Sequence, residues 1–230
     1  LVKCKFMSAE ISQPKQIFRS FLQEHFPAEA DSLLARFELF LEILYGQNRL
    51  VNLISRQMEK EDYWLYHFLD SLLIINIMEI NSEEVLDFGS GGGLPGLPLK
   101  LVYPDLKVTL LDSVGKKVKC IEQFIATLKL SGCRAVWARL EDFAKGPQQN
   151  RYDLVLCRSV RMEPAFFEPV MKLLKPAGKA VFYKAQQMED VAVLPGAEVF
   201  DVSQGDLGKR QIVVAGKKSF EMYLKNIRLG

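Results

Sequence analysis

Between Pro14 and Ile80 the apolar residues recur at helical spacing. Leu33, Phe37, Phe40, Leu41 and Leu44 fall on one stripe, with Asp31 or Ser32 placed to cap its start, and residues 63–75 read as another helix. The pattern predicts an α-helical N-terminal lobe over residues 7–80. After Glu84 the period changes. Short β-prone runs stand at 85–88, 108–111, 135–138, 154–157, 180–183, 198–202 and 211–215. Between the earlier runs lie a helix opening near Pro95, a long one over 114–130 and another over 164–174. Alternating strand and helix implies right-handed parallel crossovers and a sheet covered on both faces. The last two runs are joined by the polar stretch 203–208 with no helix between them, which predicts an antiparallel hairpin. The expectation is an α/β domain over 81–230 with a seven-stranded, mostly parallel sheet closed by that hairpin.

Composition narrows the field. With 230 residues, 49% hydrophobic and 25% charged, the chain can bury a full core. Its formal charge of +2 is too small for a general nucleic-acid binder, so any such site is a local patch. Cys4, Cys120, Cys133 and Cys157 lie far apart with no CxxC pair, and the histidines are His25 and His67, which suits neither a disulfide framework nor a metal site. The sequence has no run of 18 apolar residues and no secretory signal pattern, so a cytoplasmic protein without membrane contact is expected. Residues 1–6, which precede Met7, are expected to be either an artificial addition or an upstream extension and stand outside the fold reading.

The segment Val85-Leu86-Asp87-Phe88-Gly89-Ser90-Gly91-Gly92-Gly93-Leu94-Pro95-Gly96 sets an acid at a strand end and glycines at alternate positions after it. It fits D-x-G-x-G-x-G, the pattern of S-adenosylmethionine enzymes. Gly89, Gly91 and Gly93 let the backbone turn sharply and approach a ligand with no Cβ in the way. Asp87 can accept hydrogen bonds from the loop or from the methionine ammonium. A rival register, Gly91-x-Gly93-x-x-Gly96, satisfies the dinucleotide fingerprint of an NAD-binding oxidoreductase, but it puts Pro95 inside the phosphate turn. Asp112 follows the second strand, where its carboxylate can accept from both ribose hydroxyls or cap the next helix. After the third strand comes Arg139-Leu140-Glu141-Asp142-Phe143, in which Leu140 can flank an adenine and Glu141 or Asp142 can accept from its amine.

With these residues placed, the chain resembles the RsmG/GidB family of bacterial small-subunit ribosomal RNA guanine-N7 methyltransferases from about residue 44 to 215. Asn52-Leu53 and His67-Phe68-Leu69-Asp70-Ser71 look like the family's N-terminal signatures. Gly91-Gly92-Gly93-Leu94-Pro95-Gly96-Leu97-Pro98-Leu99 looks like its G-P-G-L-P-G-I-P-L loop apart from Gly92, and Leu110-Leu111-Asp112-Ser113-Val114-Gly115-Lys116-Lys117-Val118 is close to its L-L-D-S-x-x-K-[KR]-x run. Tyr66, Ser159, Ala185 and Gln211 depart from its usual residues. The resemblance implies a Rossmann-like class I methyltransferase that uses S-adenosylmethionine on 16S ribosomal RNA of the small subunit. It further implies that Gly89, Leu94, Leu140, Glu141 and Arg158 surround the cofactor.

Guanine N7 carries an in-plane lone pair and no proton, so its methylation needs alignment and no general base. No Asx-Pro-Pro-aromatic clamp for an exocyclic amine follows the fourth strand; Cys157-Arg158-Ser159 stands there instead. Arg158 can donate to cofactor or guanine acceptors, and His67 and Lys184 are further candidates for positioning the base. Cys157 admits a competing enzyme, a thiolate that adds to carbon 6 of an RNA cytosine before methylation at carbon 5, although its apolar run favours a buried small hydrophobe. A non-catalytic RNA-binding protein that kept the fold is a third reading. RNA contacts are expected from Lys116, Lys117, Lys119, Arg161, Lys184 and Arg210, acting in a monomer without a metal. S-adenosylmethionine should therefore raise the melting temperature while NAD leaves it unchanged. Equal stabilisation by NAD in a thermal-shift assay would favour the dinucleotide register.

Overall fold

The computed structural model describes residues 12–55, 57–185 and 187–229, so the expectation for residues 1–6 lies outside it. The first helix, α1, spans Gln13–His25 with Pro14 in its opening turn, where the missing N–H has no helical partner to lose. The second, α2, spans Ala30–Asn48. Neither Asp31 nor Ser32 caps it, as they lie inside its first turn: Glu29 occupies the cap position and Ser32 Oγ donates back to the Glu29 carbonyl. The apolar run 63–75 is helical but not one regular α-helix. It passes through a π-helical segment, Trp64–Leu69, one α turn, α3, at Asp70–Leu72, and a 3₁₀ turn, Leu73–Asn76. Its carbonyls are contested, because Ser71 Oγ donates to the carbonyl of His67 and Arg158 donates to those of Tyr66 and His67. Such competition is a known cause of helix irregularity.

The sheet follows in sequence: β1 Glu84–Phe88, α4 Gly96–Val102, β2 Lys107–Asp112, α5 Gly115–Thr127, β3 Cys133–Trp137, α6 Leu140–Phe143, β4 Tyr152–Arg158, α7 Pro164–Leu173, β5 Leu174–Lys184, α8 Glu189–Ala192, β6 Glu198–Asp201, β7 Gln211–Gly216 and α9 Lys217–Leu229. Its order is β3-β2-β1-β4-β5-β7-β6, with β7 antiparallel to both β5 and β6. The seven strands and the closing hairpin agree with the sequence pattern. β5 differs by starting at Leu174, directly out of α7, with an irregular register against β4 between Tyr152 and Leu154. The helix α9 has no counterpart in the sequence reading. Its Phe220 ring packs edge-on to Phe167 of α7, which anchors the last helix to the sheet's second face.

Alternation along each strand divides the core in two. Val85, Val108, Leu110, Leu154, Leu156 and Val181 face α1, α2, α4 and α5, whereas Leu86, Leu111, Val155, Ala180 and Phe182 face α7 and α9. Burial on both faces explains why these strands read as continuous apolar runs. Across the junction between β1 and β4 the crossovers reverse direction, and α/β sheets open a ligand crevice at such a point, beyond the carboxyl ends of the strands.

The first face is held by aromatic rings. Phe68 is fully buried and meets Phe18, Phe37, Phe40 and Trp64 at centroid distances of 6.0, 5.1, 5.4 and 5.5 Å, while Phe40 reaches Phe124 of α5 at 5.9 Å. The π-helical segment that carries Phe68 is thereby fixed between α1, α2 and the sheet. Phe68→Ala should destabilise the fold by about 3–5 kcal/mol, the usual cost of emptying an aromatic site in a packed core. Urea denaturation checks this, and a loss below about 1 kcal/mol would show that the cluster can close over the gap.

Candidate active site

A cavity of about 1320 Å³ opens at the carboxyl edge of the sheet. Its walls come from the loops after β1, β4 and β5, the start of β7, and Leu53, Ile54, Ser55, Met58 and the 66–73 stretch of the helical region. The glycine loop forms one side. Gly91 has φ +55°, and a Cβ there would stand 3.0 Å from the Leu53 carbonyl. Its requirement for glycine is therefore already set by backbone conformation and by Leu53, before any ligand is considered. Gly89, Gly91 and Leu94 line the cavity, while Gly93 turns inward, where a Cβ would meet Leu97.

Two carboxylates shape this loop. Asp112 accepts from Gly91 N at 2.9 Å through Oδ2 and from Val114 N at 2.8 Å through Oδ1, so it ties the loop to the start of α5. Of the two roles read from the sequence, the structure bears on the one at the helix start: the bond to Val114, which occupies the N-cap position, holds the entry to α5. Asp87 is fully buried; its Oδ2 accepts from Gly96 N at 2.8 Å, and Oδ1 has no partner among the described residues. Burial pushes its carboxyl up to about 7, against the opposing pull of the Gly96 N–H. Because Asp87 fills the positive end of α4, that helix start is closed to a phosphate, which counts against the dinucleotide register. Leu140 opens α6 with its side chain buried in the core, and Glu141 follows half-exposed. Neither of these two lines the cavity, nor does Asp112.

Opposite the loop, Arg158 at the end of β4 is only 9% exposed. Its Nη1 donates to Asp70 Oδ2 at 2.9 Å and to the Tyr66 carbonyl at 3.3 Å, and Nη2 faces His67 Nδ1 at 3.4 Å. The other Asp70 oxygen accepts from Arg210 Nε at 2.8 Å. Arg158 is thus tied to the helical region, and its guanidinium is engaged in supporting the cavity wall. His67 lies beside it in the wall; burial first, and then the Arg158 charge, hold its imidazole down at about 3, so it is neutral at physiological pH.

Lys184 also lines the cavity, but its ammonium is paired with Asp190 Oδ2 at 2.6 Å. Among the residues expected to touch RNA, Lys116 and Lys119 are exposed on α5, Arg161 is exposed on the rim, and Lys117 is half-buried in the wall. Lys184 and Arg210 are engaged by protein carboxylates, contrary to a purely RNA-facing role, because each closes an internal ion pair. Cys157 is buried on the second face, and burial pushes its thiol far above the ordinary range, which removes it as a nucleophile.

Asp70, Asp190 and Tyr183 are cavity residues to which no role was assigned from sequence. One signal was present for Asp70: it is the single acid in the apolar run 63–75, and a charge buried in such a run requires a partner. Asp190 sits in the 4-residue helix α8, too short for a sequence pattern, and nothing local marks it.

The sheet order, the glycine loop after β1 and the acid closing β2 define a class I methyltransferase fold. Solved structures agree in fold: an S-adenosylmethionine-dependent methyltransferase from Aquifex aeolicus superposes with a TM-score of 0.52 at 19% identity, covering 66% of this chain and 92% of that one. A predicted O-methyltransferase from Agrobacterium tumefaciens gives 0.53 at 13% identity, covering 64% and 79%. The family model GidB, rRNA small subunit methyltransferase G, matches residues 33–205, and the chain belongs to that family. The ribosomal RNA small subunit methyltransferase G of Staphylococcus carnosus is 32% identical over 86% of this chain and 88% of its own length. That of Desulfitobacterium hafniense is 33% identical over 81% and 82%.

The state of His67 has a measurable consequence. Its folded value of about 3 lies below the ordinary 6.5, so its contribution to stability is complete above about pH 6.5 and is lost as pH falls towards 3. Between about pH 7 and about pH 4.5, wild-type protein should lose more stability in urea titrations than His67→Gln does. Equal losses would mean that the imidazole is not held neutral.

Proposed function

We propose that the protein transfers a methyl group from S-adenosylmethionine to N7 of a guanosine in small-subunit ribosomal RNA, acting as a cytoplasmic monomer. The observation that carries this reading is that His67, Asp70, Arg158, Lys184, Asp190 and Arg210, six of the ionisable groups in the cavity wall, are committed to one another. His67 is neutral beside Arg158, Asp70 serves two guanidinium groups, Asp190 holds Lys184, and Cys157 is buried. Such a site suits a nucleophile that brings its own lone pair. An exocyclic amine must lose a proton, and cytosine methylation needs a thiolate; guanine N7 needs neither.

S-adenosylmethionine supplies an electrophilic methyl group on a sulfonium. Gly89, Gly91 and Leu94 are proposed to line its amino-acid end, with Asp87 and Gly93 holding the loop in shape. Asp112 is proposed to accept from the ribose hydroxyls, and Leu140 and Glu141 to lie at the adenine end. What remains for the protein is orientation, which at its limit is worth roughly 7 to 11 kcal/mol. With a formal charge of only +2, RNA is held by a patch, for which Lys116, Lys117, Lys119 and Arg161 are best exposed.

Small subunits from a methylation-deficient strain, incubated with the protein and methyl-labelled cofactor and then digested to nucleosides, should yield labelled 7-methylguanosine. Free guanosine and short oligonucleotides should remain unlabelled, since dispersed contacts require folded RNA. Label recovered on cytosine or on an exocyclic amine would overturn the assignment.

A further inference from the structure

Guanine and adenine both carry N7, so the atom that is methylated cannot distinguish them. The Watson–Crick edge offers the fullest distinction: there guanine presents the acceptor O6 and the donors N1–H and N2–H, and adenine presents an amine and a bare ring nitrogen. We infer that Asp190 and Gln211 are the specificity-determining residues that read this edge, accepting hydrogen bonds from N1–H and N2–H of the target guanine. The inference rests on the N7 reading above.

Both side chains line the cavity, and each carries a buried oxygen, Asp190 Oδ1 and Gln211 Oε1, without a hydrogen-bond partner among the described residues. An orphaned buried acceptor is costly, so each of these oxygens gains from a donor brought into the cavity once a small side-chain rotation opens it. One end of the Asp190 carboxylate is anchored. Asp190 Oδ2 accepts from Lys184 Nζ at 2.6 Å and from Met162 N at 2.7 Å, which anchors the carboxylate and leaves Oδ1 over. Lys184 on β5 stands directly opposite Gln211 on β7, so the two side chains rise from the same face as neighbours. The Lys184 ammonium, the Asp190 carboxylate and the Gln211 amide therefore form one patch that contains a donor and two acceptors, the complement of O6, N1–H and N2–H. The patch lies in the same cavity as Gly89 and Gly91 of the cofactor loop, where a base swung out of its helix can present N7 to the methyl group. Adenine in this place sets its N1 lone pair against an acceptor and leaves the second acceptor unmet.

The test uses small subunits reconstituted with guanine, hypoxanthine or adenine at the position that the wild-type protein methylates. Hypoxanthine keeps O6 and N1–H and lacks N2. Wild type should prefer guanine to hypoxanthine by roughly tenfold in kcat/KM and should not label adenine, since sites built around hydrogen bonds reject analogues that lack them. Gln211→Leu should slow transfer to guanine and bring the guanine-to-hypoxanthine ratio to about one. Asp190→Asn should slow both substrates roughly in parallel, because both carry N1–H, with affinity for S-adenosylhomocysteine kept as the sign of an intact fold. If Asp190→Asn fails to fold, the Gln211→Leu ratio decides. Formation of 7-methylguanosine with an unaltered ratio in Gln211→Leu overturns this inference alone. Absence of any N7 product from wild type overturns it together with the reading on which it stands.

Discussion

The Asp70 carboxylate receives Arg158 Nη1 on one oxygen at 2.9 Å and Arg210 Nε on the other at 2.8 Å. Three parts of the chain meet there: the helical run after residue 63, the end of β4 and the approach to β7. Asp70 and Arg158 are nearly buried, with side chains 11% and 8% exposed, so neither charge is stable there without the other. Removing one member of a buried pair typically costs about 3–5 kcal/mol, whereas the intact arrangement adds little net stability. Its value lies in geometry. Tyr183 extends the same junction by donating to the Ser71 carbonyl at 3.0 Å, so the helical region is pinned to β4 and β5 beside the cavity.

The chemistry of the cavity follows from that constraint. Arg158 is held towards the helices, its charge helps to keep His67 neutral, and this part of the wall presents paired charges: Arg158 and Arg210 with Asp70, and Lys184 with Asp190. On the other side, Asp112 and Asp87 spend carboxylate oxygens on the amides of Gly91 and Gly96, so the glycine loop is shaped before a ligand arrives. A site built in this way aligns two reactants and leaves proton transfer aside, which is what alkylation of a ring nitrogen demands.

Much of the fold was legible because its signals are local. Short β-prone runs, the change of pattern after Glu84 and the polar link 203–208 predicted the seven strands and the hairpin, and glycines at 89, 91 and 93 marked the loop. Where several forces compete, local signals mislead. Ser32 looks like a cap yet bonds back to Glu29 from within the helix, and the run 63–75 loses its regular ladder because Ser71 and Arg158 take its carbonyls. The site divides in the same way. Glycine positions and Asp112 were readable from their neighbours, whereas the partner of Arg210 lies 140 positions away at Asp70, and that of Lys184 sits in α8, a helix too short to show a pattern. Residues that look like surface cations in sequence therefore prove to be internal ties.

The most direct test is a structure of the protein with S-adenosylhomocysteine, bound to the small ribosomal subunit. The account predicts a guanine swung into the cavity, with N7 facing the cofactor sulfur, the glycine loop alongside the cofactor and the Arg158, Asp70 and Arg210 bridge unbroken. A cofactor bound away from Gly89 and Gly91, or a base that presents an atom other than N7 to the sulfur, would contradict it.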